Sequence, residues 1–228
     1  METIIISQDV QERDMIAFIL RQAGMKVTQK TNSQSVINNW AEAPAALLVI
    51  VNSNIPKTLK DVKSIRAVSE VPVIMITETI SNAETVELIN AGADLVLPMP
   101  IHPGVLTSYA HALLRRVRAV PLLATPMLDL DSIALNPSTR TVRVHGKEPQ
   151  RLTQLEFQLL YVLMTNRGLA IPTDVLVERV WGYSEKGNRE LVRGLVSRLR
   201  GKIEHDPSSP EFIHTIAGMG YLFDIGLD

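Results

Sequence analysis

Asn188 to Glu204 reads NRELVRGLVSRLRGKIE, and the two faces of this stretch decide what the rest of the chain is built to carry. At helical pitch Val192, Val196, Leu199 and Ile203 form one apolar stripe suited to burial. Arg189, Arg193, Ser197 and Arg200 share an arc of roughly 80°, taking about 100° per residue. Asn188 stands where an N-cap belongs, with a side-chain oxygen for the exposed first-turn amides. From this stretch alone two readings stay open: a surface helix with solvated arginines, or a cationic face presented to a polyanion.

Outward from the helix, composition sets bounds. The chain has 228 residues, 46% hydrophobic and 21% charged, which suits one large soluble globular domain or two small ones with separate cores. No apolar run reaches the roughly 18 residues of a membrane span, and METIIISQD has no basic region before its short apolar segment. No membrane partner is therefore expected. There is no cysteine, so disulfides and thiolate metal sites are excluded, and a cytoplasmic location is expected. A net charge of −1 does not advertise a polyanion, so a nucleic-acid reading must rest on local clustering.

The first half alternates short apolar runs with amphipathic stretches. Ile4-Ile5-Ile6, Leu47 to Val51, Val73 to Ile76 and Leu95 to Leu97 read as buried strands. Met15, Ile16, Phe18, Ile19 and Leu20 lie on a helix that ends at Gly24. Leu59, Val62, Ile65 and Val68 lie on another, Glu84 to Ala91 is stopped by Gly92, and Val105 to Val117 closes the series. This pattern predicts a parallel sheet covered on both faces, with any site at the carboxyl ends of the strands. With NAGADLVLPMP and VIMIT, the half resembles a response-regulator receiver domain, a flavodoxin-like, doubly wound, five-stranded α/β fold.

The resemblance implies metal-assisted phosphoryl transfer to an aspartate, and the residues depart from what that needs. Ser7 and Gln8 stand in place of the acidic pair that holds Mg²⁺, leaving Asp9 beside them. Asn52 replaces the acceptor aspartate, and a neutral amide is a poor nucleophile and a weak magnesium ligand. Met99 replaces the lysine; Thr77 alone matches. We therefore expect a degenerate pocket of Ser7, Gln8, Asp9, Asn52, Thr77 and Met99, with no aspartyl phosphate, no metal and no cofactor. Asn52, Thr77 and Gln8 are expected to hydrogen-bond one another there rather than bind a small molecule. The family also pairs receivers through the last helix-strand-helix unit by charged side chains. Here Val105, Tyr109 and His111 occupy expected charged positions, and Glu84 and Glu87 stand where basic residues are usual. Asp94 and Arg116 remain as partners. A more apolar face of Glu87, Asp94, Val105, Tyr109 and Arg116 would suit a constitutive homodimer.

RAVPLLATPML, 118–128, holds two prolines and reads as a short semi-rigid connector between domains at 1–118 and 129–228, the linker proper being 119–128. Beyond it, Leu130, Ile133 and Leu135 alternate, Asn136-Pro137-Ser138 turns, and Arg140 to Val144 alternates again, an antiparallel meander. Thr153 and Glu156 make a capping box at the head of an apolar helix to Asn166. A second helix runs from Thr173 to Val180, the loop Ser184 to Gly187 leads into the opening helix, and Asp206 to Pro210 is a polar turn. Phe212 to Ile216 and Tyr221 to Ile225 form a hairpin around Ala217-Gly218-Met219-Gly220. LTQLEFQLLYVLMTNRG, VLVERVWG, SRLRGKIE and FIHTIAGMGYLF together resemble the winged-helix (α+β) effector domain of OmpR/PhoB-type transcription factors.

That resemblance implies double-stranded DNA at promoter repeats as partner, with the opening helix in the major groove, and RNA polymerase as a further one. Arg189, Arg193 and Arg200, with Ser197 beside them, are the candidates for base edges or phosphates. Arg198 and Lys202 are candidates for backbone phosphates. Thr215 and the edge of a largely buried Trp181 are further contacts, and Tyr221 is expected in the core. Gly194 and Gly201 suit either close approach to DNA or close helix packing. The usual wing arginine is replaced by Ala217, and Leu222 follows Tyr221, so weaker binding per subunit is expected, recovered by dimerisation on a repeated half-site. A phosphorylation-independent, sequence-specific transcription regulator is the leading expectation. The competitor is a protein-interaction module with weak or lost DNA binding. Neither nucleophile-base pair nor metal-ligand cluster is visible, so an enzyme is not expected.

Overall fold

The computed structural model describes residues 2–78, 80–119, 126–182 and 189–225. The chain divides into two compact units, Met1–Val117 and Arg118–Asp228.

In the first unit, β1 (Glu2–Ile6), β2 (Lys26–Lys30), β3 (Leu47–Val51), β4 (Val73–Thr77) and β5 (Leu95–Pro98) form one sheet in the order β2-β1-β3-β4-β5. Every pairing is parallel. The all-apolar β3 and the whole of β4 are buried because helices cover such a sheet on both faces. These helices are α1 (Val10–Gln22), α2 (Ser33–Asn38), α3 (Ile55–Val68), α4 (Asn82–Ala91) and α5 (Pro103–Ala119). Each of the first four is started by a side chain of its own. Asp9 accepts from Glu12 N, Asn32 from Ser35 N and Asn54 from Lys57 N, and Ser81 forms a full capping box with Glu84. Gly92 ends α4 at φ +127°, where a Cβ would also stand 2.5 Å from Cγ of Arg66. β2, KVTQK, is the strand that apolar runs do not reveal: it lies at the sheet's edge with four of five residues half-buried and the first exposed.

The second unit opens with an antiparallel sheet of β6 (Leu128–Asp129), β7 (Ile133–Asn136), β8 (Thr141–Val144) and β9 (Gln150–Arg151), in that order. Leu130, expected in a strand, lies instead in the turn between β6 and β7, where its N–H donates to Ile133 O. There follow α6 (Gln154–Thr165), β10 (Ile171–Pro172), α7 (Thr173–Trp181), α8 (Arg189–Ile203), β11 (Ile213–Ile216) and β12 (Gly220–Phe223). The last three strands pair in the order β10-β12-β11. Leu155, Phe157, Leu159 and Leu160 of α6, Leu176, Val180 and Trp181 of α7, and Leu191, Val192, Leu195, Val196 and Leu199 of α8 are buried with Phe223 of β12. The connector at 120–125, the loop Ser184 to Gly187 and the Asn188 cap lie outside the described residues, as does the side chain of Arg116.

Candidate nucleic-acid interface and receiver pocket

α8 carries its buried stripe as expected, with Leu191 and Leu195 widening it. Its exposed ridge is Arg189, Arg193, Ser197 and Gly201, each four residues from the last. The two glycines therefore part company: Gly194 is buried and serves packing, whereas a Cβ on Gly201 would meet nothing within 4 Å.

The other cations of α8 are committed inside the domain. Arg200 turns sideways onto the hairpin: its Nε and Nη2 donate to Ile213 O at 3.0 and 2.6 Å, and Nη2 also donates to Thr215 Oγ1 at 3.0 Å. Lys202 donates to Arg151 O at 2.9 Å and to Oε2 of Glu156 at 2.7 Å. Arg198, its side chain only 9% exposed, lies 3.9 Å from Oε1 of the same carboxylate. Arg200, expected at base edges or phosphates, and Arg198 and Lys202, expected at backbone phosphates, are thus each held by partners inside the domain, which corrects the expectation of free side chains there. A buried carboxylate recruits cations from the facing helix because an unpaired charge there is costly. Trp181 is corrected as well: it is wholly buried and offers DNA no edge. Thr215 remains exposed, and Tyr221 is buried as expected.

Glu156 is the hub. Its carboxylate also accepts from Thr153 N at 2.9 Å, completing the capping box of α6. Burial pushes its proton affinity up, yet Arg198, Lys202 and the Thr153 amide prevail and hold the carboxyl below the usual carboxylate range. A second buried carboxylate, Glu204 at the end of α8, accepts from the amides of Glu211, Phe212 and Ile213. It joins the helix to the start of β11. The sequence marks Glu156 only as a cap; a charge within the apolar run LEFQLL was the available signal of a deeper role.

At the carboxyl ends of β1, β3 and β4, Ser7 is buried and donates to Glu12 Oε2 at 3.3 Å, while Asp9 accepts from Glu12 N at 2.9 Å as the cap of α1. Asn52 Oδ1 accepts from Asn54 N at 2.9 Å, Gln8 is exposed, and Met99 N donates to Thr77 O at 2.7 Å. The expected mutual hydrogen bonds of Asn52, Thr77 and Gln8 do not form. Asn52 closes its own turn instead, and the buried Thr77 hydroxyl has no hydrogen-bond partner among the described residues. Hard cations take anionic oxygens, and a set of two hydroxyls and two amides, with Asp9 capping α1 and Glu12 accepting from Ser7, does not fit Mg²⁺.

The expected dimer face is also redrawn. Asp94 is 2% exposed and belongs to an internal lock: Arg66 reaches its Oδ2 at 2.5 Å and Gly92 O at 2.6 and 2.8 Å, while Val73 N donates to the same carboxylate at 2.8 Å. Tyr109 is buried too. Glu87 and Val105 are exposed.

With both units described, comparison with known proteins becomes decisive. Residues 3–111 match the family described as "Response regulator receiver domain", and residues 146–223 match "Transcriptional regulatory protein, C terminal". The sensory transduction protein RegX3 of Mycolicibacterium smegmatis is 32% identical over 226 residues, covering 97% of this chain and 98% of its own. The chain belongs to the OmpR/PhoB-type response regulators. The DNA-binding response regulator MtrA of Mycobacterium tuberculosis is 29% identical, covering 96% of this chain and 94% of its own. Among solved structures, a RitR mutant shares the fold with a TM-score of 0.77 at 18% identity, over 99% of both chains. This regulator thus pairs a receiver with a winged-helix DNA-binding domain, and no described helix is long and apolar enough to cross a membrane.

Proposed function

We propose that this response regulator binds promoter DNA sequence-specifically through α8, works without aspartyl phosphorylation, and does so as a constitutive homodimer through its receiver. The observation that carries the reading is the exposed ridge Arg189-Arg193-Ser197 on a helix whose opposite face is buried. Its arginines are the cations of α8 left facing outward, and bidentate arginine contacts to guanine edges are the commonest specific ones. Independence from phosphate is supported by Asn52, whose amide is no acceptor for a phosphoryl group and whose oxygen is occupied by Asn54 N. Support for the dimer rests on Glu87 and Val105 of the α4–α5 face, since Asp94 and Tyr109 are internal.

Genome-wide mapping of bound sites, followed by footprinting at near-physiological salt, tests the DNA reading. A repeated half-site motif is the expected result; occupancy no better than random DNA sinks it. Acetyl phosphate with Mg²⁺ should leave mass and oligomeric state unchanged, and a mass increase that disappears in an Asn52 variant would reverse the second part. The competing interaction-module reading draws on the same interior commitments. With Arg198, Arg200 and Lys202 engaged inside the domain, the helix offers DNA less charge than its sequence promises.

A further inference from the structure

Residues 215–222, TIAGMGYL, carry no charged side chain, and the hairpin they form ends in an exposed tip of Ala217, Gly218 and Met219. Met219 is 52% exposed, and the tip presents no other side chain larger than a methyl group. The turn is closed by Met219 N donating to Ile216 O at 3.0 Å, with Gly218 at φ +73°. Below the tip the hairpin is pinned. A Cβ on Gly220 would stand 2.0 Å from Ile171 O, so β12 lies against β10 more closely than a side chain permits. Thr173 N, at the start of α7, donates to Met219 O at 3.4 Å. Arg200 ties β11 to α8 through Ile213 O and Thr215 Oγ1.

The base of the hairpin lies against α8, where Arg200 Nη2 donates to Thr215 Oγ1 at 3.0 Å. Tyr221 pairs across the hairpin with Thr215, and burial raises its hydroxyl's pKa while the charges of Arg200 and Arg193 oppose the rise. Through Arg200 the exposed Thr215 of the hairpin is joined to α8, so a duplex seated on the α8 ridge would run beside the hairpin.

We propose that Met219 is an apolar wedge of the DNA interface, pressed against the sugar walls or a base step of the minor groove beside the major-groove site of α8. This rests on the reading of α8 as the DNA-facing helix. Apolar side chains that enter the minor groove unstack base steps and favour sequences that deform easily, such as pyrimidine–purine steps. An unbranched thioether adapts to such a slot, and the pinned hairpin delivers it without a further backbone ordering cost. The wing then reads deformability in place of the charge-attracting narrow groove that an arginine reads.

The test uses the full chain and a duplex selected by the wild type from a random library, with affinity measured by anisotropy across a salt series. Met219→Ala should weaken binding on the order of tenfold, from the apolar area it withdraws. The slope of log affinity against log salt should not change, because no phosphate contact is lost. Met219→Leu should retain most of the affinity, and the isosteric Met219→Gln should lose it. Arg193→Ala, by contrast, should relax preference at particular base positions. Binding by Met219→Ala within twofold of wild type, or equal binding by the Leu and Gln variants, overturns the wedge while leaving the α8 reading in place. Failure of the wild type to select any duplex overturns both. Melting temperatures of the exposed-tip variants should match the wild type, which separates a lost contact from a lost fold.

Discussion

Glu156 holds three partners from two directions, and its removal separates charge from shape. Glu156→Ala leaves Arg198 and Lys202 facing an empty, buried site, and breaking such a pair costs about 3–5 kcal/mol. Glu156→Gln keeps the capping geometry and loses the charge, so its cost should be smaller. The pH dependence follows from the lowered proton affinity. The folded carboxyl binds its proton more weakly than the unfolded one, whose ordinary value is 4.5. Its stabilisation is therefore complete above that value and is lost as pH falls through the lower folded value. Thermal melts in acid should show the wild type losing more stability than Glu156→Gln over this range; parallel curves would deny Glu156 the role. On α8, Arg193→Ala should relax preference at particular base positions without changing the melting temperature. Arg200→Ala should instead lower the melting temperature, because its guanidinium holds Ile213 O and Thr215. A base-specific defect in Arg200→Ala with unchanged stability would restore the simpler reading of the helix.

At the scale of elements, α8 was legible as a two-faced helix because its apolar period is strong, and the parallel core strands were legible because Leu47 to Val51 and Val73 to Ile76 are continuous apolar runs. β2 was not, since an edge strand of KVTQK needs little apolar surface. Helical spacing placed Arg200 beside Arg193, but it could not foresee which cation a buried carboxylate or a strand carbonyl would claim. Such partners come from tertiary neighbours 13 to 51 positions away. Asp94 shows the same limit, being taken by Arg66 of α3. Gly201 offers a test on the helix itself. An alanine there meets no neighbour and should stabilise α8 by about 1 kcal/mol. If the small residue serves close approach on the exposed ridge, the stabler Gly201→Ala protein should bind DNA severalfold more weakly. Unchanged affinity would assign the glycine no part in binding.

For the whole molecule, switching and reading are uncoupled in the proposed function. In that reading a receiver with Asn52 in place of an acceptor aspartate has no phosphate-dependent step to set its oligomeric state. Sedimentation should therefore give one assembly state with or without acetyl phosphate, and Val105→Glu should shift it toward monomer if α5 forms the contact. A Val105→Glu protein that sediments as wild type would move the interface elsewhere. DNA binding should depend only modestly on salt. With two outward arginines on α8 of each subunit, a dimer contributes at most about −4 to the slope of log affinity against log salt.

The shared carboxylate of Glu156 has a kinetic and cooperative meaning beyond its contribution to stability. It starts α6 and clasps α8 with the same two oxygens, so the first turn of one helix cannot open while the other stays docked. Local fraying and helix undocking become one event. Amide hydrogen exchange at Glu156 and Phe157 should then slow and quicken together with exchange in the last turns of α8, as a single unfolding unit. Under the proposed function, the helix facing DNA would then be held by the same carboxylate that starts α6.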